Sequence, residues 1–154
     1  VPTQLKIEEV HDALLELVKE IIGGDAYADG ISNEDLEEDG SIAAIQLPAI
    51  LLLFDTERVK PQKDNYRLTY QSVQTYSLLV GDSSLRGSDD ERTGALKLVS
   101  RLRDGLAGEK LTVSDGITEP IELSGSSRYQ LAKTGTWYRV EINVGTVVQF
   151  SAKS

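Results

Sequence analysis

The sequence predicts an α+β fold: a mainly antiparallel sheet with two amphipathic helices packed on one face, in a single domain spanning residues 1–154. Three observations predict it. Two segments repeat apolar residues at helical spacing. Two long segments alternate apolar and polar residues at period 2. Ahead of both, "LPAILLLF" (residues 47–54) is apolar without alternation, the pattern of a strand covered on both faces, although Leu and Ala alone would also allow a helix. A chain of 154 residues is long enough to bury a core without disulfides or metals.

The first helix carries Ile7, Val10, Leu14, Leu17, Val18 and Ile21 on one stripe, with Thr3 as a candidate N-cap and Gly23-Gly24 as its stop. Residues 25–44 are acidic, contain Gly30 and Gly40, and read as a loop. The apolar strand follows, and Pro48 requires that its pairing start after that residue or at a sheet edge. Thr56 to Asn65 is polar, contains Pro61, and reads as a connection. From Tyr66 to Val80, Tyr66, Leu68, Tyr70, Tyr76, Leu78 and Val80 share one parity. Arg67, Thr69, Gln71, Thr75 and Ser77 share the other, so this strand has one buried and one open face.

Ser88-Asp89-Asp90-Glu91 has the form of a capping box, with Ser88 at the N-cap and Glu91 at N3. The helix behind it aligns Ala95, Leu98, Val99, Leu102 and Leu106, and Gly105 and Gly108 mark its end. The last third is β. Leu111–Val113, Pro120–Leu123 and Tyr129–Ala132 are short candidates around the turn Ser114-Asp115-Gly116. Trp137 to Phe150 is the strongest, with Tyr138, Val140, Ile142, Val144, Thr146 and Val148 on one face.

The formal net charge of -9 opposes a broad grip on nucleic-acid phosphates. No apolar run approaches the ~20 residues of a membrane-spanning helix. Val1-Pro2-Thr3-Gln4 lacks the basic start of a signal peptide, so none is expected. With no Cys, disulfides, thiolate zinc sites and Cys nucleophiles are excluded. His11 is the only histidine, on the margin of the first helical stripe, and no Ser and Asp are placed beside it by sequence. A structural role outweighs a catalytic one by roughly nine to one, since catalysis needs a second and third group. "EDLEEDG" fails the calcium-loop spacing, and neither "GDSSLRGS" nor "GLAGEK" completes a phosphate loop. A catalytic carboxylate pair stays at its low base rate, because no pair stands out among 25 acidic residues. The expectation is a protein that is not an enzyme and holds no metal or cofactor.

The order of these elements resembles the tail terminator family of Mu-like contractile-tailed phages. The resemblance is carried by "IEEVHDALLELVKEIIG", an acidic spacer, "LPAILLLFD", "YRLTYQSVQTYSLLVG", "DDERTGALKLVSRLRDGL" and "WYRVEINVGTVV". It runs through the whole chain, but its motifs are short and apolar. It implies a virion protein, assembled in the host cytoplasm, that forms a ring, usually a hexamer, at the head-proximal end of the tail. Such a ring stops tube and sheath polymerisation and meets neck or connector proteins, while DNA passes through its lumen without specific binding. The family has no catalytic residues to carry over. The alternatives are another neck, tail-completion or baseplate component, or a small-molecule-binding α+β domain with a deep pocket.

A closed ring needs head-to-tail contacts. Candidate contact residues are Arg67, Thr69, Gln71 and Thr75 on the long strand, the segments 56–65 and 81–88, and Arg101 and Arg103 on the second helix. A solvated helix face is an equal reading for the two arginines. Glu34, Asp35, Glu37, Glu38 and Asp39 read first as a solvated loop, and alternatively as lumen acids that repel the passing DNA.

Overall fold

The computed structural model describes residues 7–32, 35, 46–64, 67–83, 94–113, 116–129 and 135–151, and within these the side chains of 60–64, 67–71 and 147–151 fall outside the description. The first helix, α1, spans Ile7–Ile22 and buries Val10, Leu14, Val18 and Ile22. Glu8 and Glu9 lie in its first turn and Lys19 in its last, each matched to the helix dipole. Gly23 ends it at φ 62°, and its N–H donates to the Lys19 carbonyl at 2.8 Å. Thr3 lies outside the described residues.

The charges and glycines of 25–44 predict a loop, yet a strand lies there: β1 (Tyr27–Ile31) runs parallel to β2 (Ala49–Asp64). Main-chain pairing to a fixed neighbour explains it, since that ladder demands no side-chain alternation. Tyr27 N–H donates to the Pro48 carbonyl at 3.0 Å.

β2 starts directly after Pro48 and buries side chains on both faces. Ile50 and Leu52 join the main core, while Ala49 and Leu51 join a smaller cluster on the other side. The strand then continues through Thr56–Asp64, where a connection was predicted, and pairs antiparallel with β3 (Arg67–Asp82) as far as Asp64↔Arg67. β1 stops opposite Leu53, so Pro61 lies in an edge portion of β2, where a missing N–H is tolerated. A β-bulge between Phe54 and Thr56 leaves Asp55 unpaired and shifts the side-chain phase by one residue. Phase shift and proline together hide this half of the strand from a periodicity reading.

α2 (Ala95–Leu106) buries Ala95, Leu98, Val99, Leu102 and Leu106. Its N-cap is Gly94, not Ser88; the Ser88–Glu91 box lies outside the described residues. Gly105 sits inside the last turn, not beyond it. A Cβ there would lie 2.7 Å from Ile21, so the glycine serves the close crossing of the two helices. β4 (Thr112–Val113) and β5 (Gly116–Ile117) form a separate two-stranded sheet. β6 (Glu122–Arg128) runs five residues beyond the predicted Leu123 through serines and a glycine, held by its ladder to β7 (Thr136–Ser151). Of the Tyr129–Ala132 candidate only Tyr129 is described, and it is not in a strand.

The main sheet has the order β1-β2-β3-β7-β6, and every pairing except β1–β2 is antiparallel. This is the expected α+β architecture. Both helices lie on one face, over Ile50, Leu52, Tyr76, Leu78, Val80, Val140, Ile142 and Val144. The opposite face is not fully open: Leu79 and Trp137 are buried there with Ala49 and Leu51, and Ser77 is 1% exposed.

Tyr76 is fully buried at the end of the main core, and its hydroxyl donates to Gln74 Oε1 at 2.6 Å. Burial first, and then the Glu57 charge, raise its pKa far above the ordinary tyrosine value. The folded state therefore keeps this phenol neutral where the unfolded chain ionises it, and stability falls once pH rises above about 10. Tyr76→Phe is expected to cost about 1 kcal/mol at neutral pH and to lose part of that alkaline decline. Urea midpoints at about pH 8 and about pH 11 measure both effects.

Candidate assembly interface

The face opposite the helices carries a polar groove of about 730 Å³ between β2, β3, β7 and β6. The bulge is what builds it: Asp55 and Thr56 both point to this side, where strict alternation would send one of them to the core. Arg139 Nε donates to Ser77 Oγ at 2.6 Å, and its Nη2 reaches Asp55 Oδ2 at 3.0 Å and Glu141 Oε2 at 3.5 Å. The Ser77 hydroxyl donates to Asp55. Beside this network Thr75 Oγ1 donates to Asn143 Oδ1 at 2.8 Å, and Asn143 Nδ2 donates to Ser124 Oγ at 3.4 Å. The side chains are thus held in place by one another, and exposed Arg58 stands at the rim.

Thr75 is the one strand candidate whose side chain is described, and it belongs to this groove. The side chains of Arg67, Thr69 and Gln71 lie outside the description. Their main chain is paired to β2 on one side and β7 on the other, so β3 can meet a neighbour only through its face. Of the two predicted contact segments, 56–64 is strand, and 84–88 lies outside the described residues.

Arg101 has a role inside its own chain. Its Nη2 donates to the carbonyls of Ile21 at 3.3 Å and Ile22 at 3.2 Å, and its Nη1 meets Asp25 Oδ2 at 3.0 Å. It thereby satisfies the carbonyl end of α1, where helix carbonyls lack partners. Arg103 is exposed on α2. Arg101→Ala is expected to cost about 1–2 kcal/mol, because the α1 carbonyls and Asp25 lose a charged donor. Thermal unfolding across a range of protein concentrations checks this: an intrachain role gives a concentration-independent loss, and a contact between copies does not.

Among the acids, Asp35 is exposed and accepts the Ser32 N–H at 2.9 Å. Glu34, Glu37, Glu38 and Asp39 lie outside the described residues. His11 packs over Gly30, where a Cβ would lie 2.6 Å from its ring, and its centroid is 6.2 Å from that of Tyr76. It shares an open groove of about 600 Å³ with Asp12, Asp29 and Asp35. Ser77 points to the opposite face, so the histidine and this buried serine do not meet. Among the described residues, no three His, Asp or Glu side chains are grouped to hold a metal ion. No described helix is long and apolar enough to cross a membrane.

Asp55, Ser77 and Arg139 carry the groove's network, and periodicity singles out none of them as a set. They lie 22 and 62 residues apart along the chain and meet only through the bulge and two strand registers.

No family model and no curated protein matches the chain. Its fold is similar to that of a chain in the virion of a native gene transfer agent particle. The TM-score is 0.51 at 11% sequence identity, and the match covers 93% of this chain and 96% of that one.

Proposed function

We propose that the chain is a non-catalytic structural subunit of a phage-like virion. The observation that carries this reading is the likeness to a chain of the gene transfer agent virion, which extends over nearly the full length of both chains and so is not a shared fragment. The element order that resembles tail terminators supports a finer role. Six copies form a ring at the head-proximal end of the tail, stop the tube and sheath from growing, and present a surface to neck or connector proteins. DNA passes through the ring without specific contacts, and the acids at 34, 35 and 37–39 face the channel and repel it. The self-bonded groove opposite the helices supports a contact surface, since pre-ordered polar groups lose little side-chain freedom on docking.

Particles assembled without this protein test the role. A terminator leaves tubes of uncontrolled length that do not join heads. A baseplate component instead leaves no tubes, and that outcome would overturn the terminator reading. Native mass spectrometry with the tube protein present tests the ring, expected at six times the 16.8 kDa chain mass.

A further inference from the structure

The two edges of the main sheet are unlike. In β1, Tyr27 donates to β2, so the alternate residues Ala28, Gly30 and Ser32 turn their N–H groups outward. Two of the three are already occupied: Gly30 N–H donates to Asp29 Oδ1 at 2.8 Å, and Ser32 N–H to Asp35 Oδ2 at 2.9 Å. Local carboxylates thus cover the Gly30–Ser32 end of this edge and hinder a further strand there.

β6, the other edge, has no such cover. Tyr129 N–H donates to the Trp137 carbonyl at 3.0 Å, which makes these two a hydrogen-bonded pair at the end of the β6–β7 ladder. Antiparallel pairs alternate. Ser127–Arg139 and Gly125–Glu141 are therefore bonded pairs, and Ser126 and Arg128 turn their N–H and C=O groups away from β7. Gly125, Ser126, Ser127 and Arg128 are all exposed, and among the described residues no strand lies along that edge.

We propose that this edge pairs with the same edge of a second copy, antiparallel, about a two-fold axis through Ser127. The pairing is self-consistent at every position. The outward residue Ser126 meets the partner's Arg128, and Arg128 meets the partner's Ser126, which makes four main-chain hydrogen bonds. Side-chain faces also agree. Ser126 and Arg128 lie opposite Val140 and Tyr138, on the helix side, and Gly125, Ser127 and Tyr129 lie on the other. Ser127 stands directly against the partner's Ser127, close enough for a hydroxyl pair. Tyr129 stands against the partner's Gly125, an aromatic beside a glycine on one face. No like charges oppose each other. The bulge between Leu123 and Gly125 ends the pairing window on its other side.

This contact is isologous, so it is separate from the head-to-tail contact that closes a ring. It joins two free subunits, or two rings, and does not depend on the ring reading.

The test is native mass spectrometry and light scattering of the full chain over a concentration series. Wild type is expected to reach twice 16.8 kDa. Ser127→Lys places two ammonium groups across the axis, and Ser127→Glu two carboxylates. Each alone is expected to weaken the dimer at least tenfold, and an equimolar mixture to restore it as a heterodimer. Ser127 is exposed, so both variants keep the wild-type circular dichroism, and their melting temperature matches that of wild type diluted below its dimerisation range. Ser126→Pro, which removes an N–H that β7 does not use, gives the same loss of dimer. A wild type that stays at 16.8 kDa, a Ser127→Lys dimer of unchanged strength, or a mixture that fails to pair overturns the proposal. Loss of a six-copy ring with the dimer retained counts against the ring alone.

Discussion

Gly81→Ala is expected to destabilise the protein by about 3 kcal/mol, the upper end of what overpacking costs. Gly81 lies in β3 directly opposite Trp137 of β7, and the indole covers it so closely that an added Cβ would collide with three ring atoms. The glycine is needed for this approach and not for a left-handed backbone, since it is not among the positive-φ glycines. Trp137 is 1% exposed and anchors the small cluster with Ala49, Leu51 and Leu79, so it has nowhere to retreat. Trp137→Ala alone is expected to cost about 3–5 kcal/mol. In that background the Gly81→Ala penalty should vanish, because the ring it strikes is gone and alanine suits a strand better than glycine. The coupling in this double-mutant cycle is therefore about 3 kcal/mol. Urea unfolding followed by far-ultraviolet circular dichroism measures it. Additive single effects would mean that the indole is not what excludes a side chain at position 81.

Asp82→Ala is the second large effect, expected at about 3 kcal/mol. Asp82 ends β3, is 5% exposed, and takes no part in an ion pair among the described residues. Its Oδ1 accepts the Ser83 N–H at 2.7 Å, and its Oδ2 accepts the Gly94 N–H at 2.7 Å. Gly94 is the N-cap of α2, and its carbonyl takes the first helical bond, from Leu98 N–H at 3.0 Å. One carboxylate thus ties the end of a core strand to the start of a helix twelve residues later, near the positive end of that helix. Alanine would leave two N–H groups without acceptors. Asp82→Asn keeps one acceptor and should cost about half as much. For a chain of this size the alanine variant should melt roughly 6–12 °C lower. Equal losses for alanine and asparagine would show that the second acceptor contributes nothing.

Much of this fold is legible in the sequence because it follows from burial. The α1 and α2 stripes, the two-faced "LPAILLLF" and the alternation of β7 each report a side chain's distance from water. The elements that carry no apolar period follow from main-chain pairing. β1 reads "YADGI", with no apolar period, and exists because β2 offers it a ladder. β6 reads "ELSGSSR" and is held in the same way by β7. A local motif at Ser88 predicts a capping box, while the N-cap of α2 is Gly94, whose N–H is held by Asp82 from another element. The candidate contact residues divide along the same line. Parity alone places Thr75 on the face opposite the helices. Arg101 looked like a surface cation, and only the crossing of the two helices shows that it serves α1. The Asp55–Ser77–Arg139 network depends on one unpaired residue in a bulge, which composition does not mark.

Trp137 is the only tryptophan in the chain, and it sits in the small cluster on the far side of the sheet from both helices. Its emission is therefore a one-sided gauge. It reports water reaching that cluster and is nearly blind to whether α1 and α2 are still docked, which the helical signal in circular dichroism records. The protein thus has a separate optical readout for each side of its sheet. Midpoints that coincide would show the two sides melting as one unit, and midpoints that part would show which side opens first.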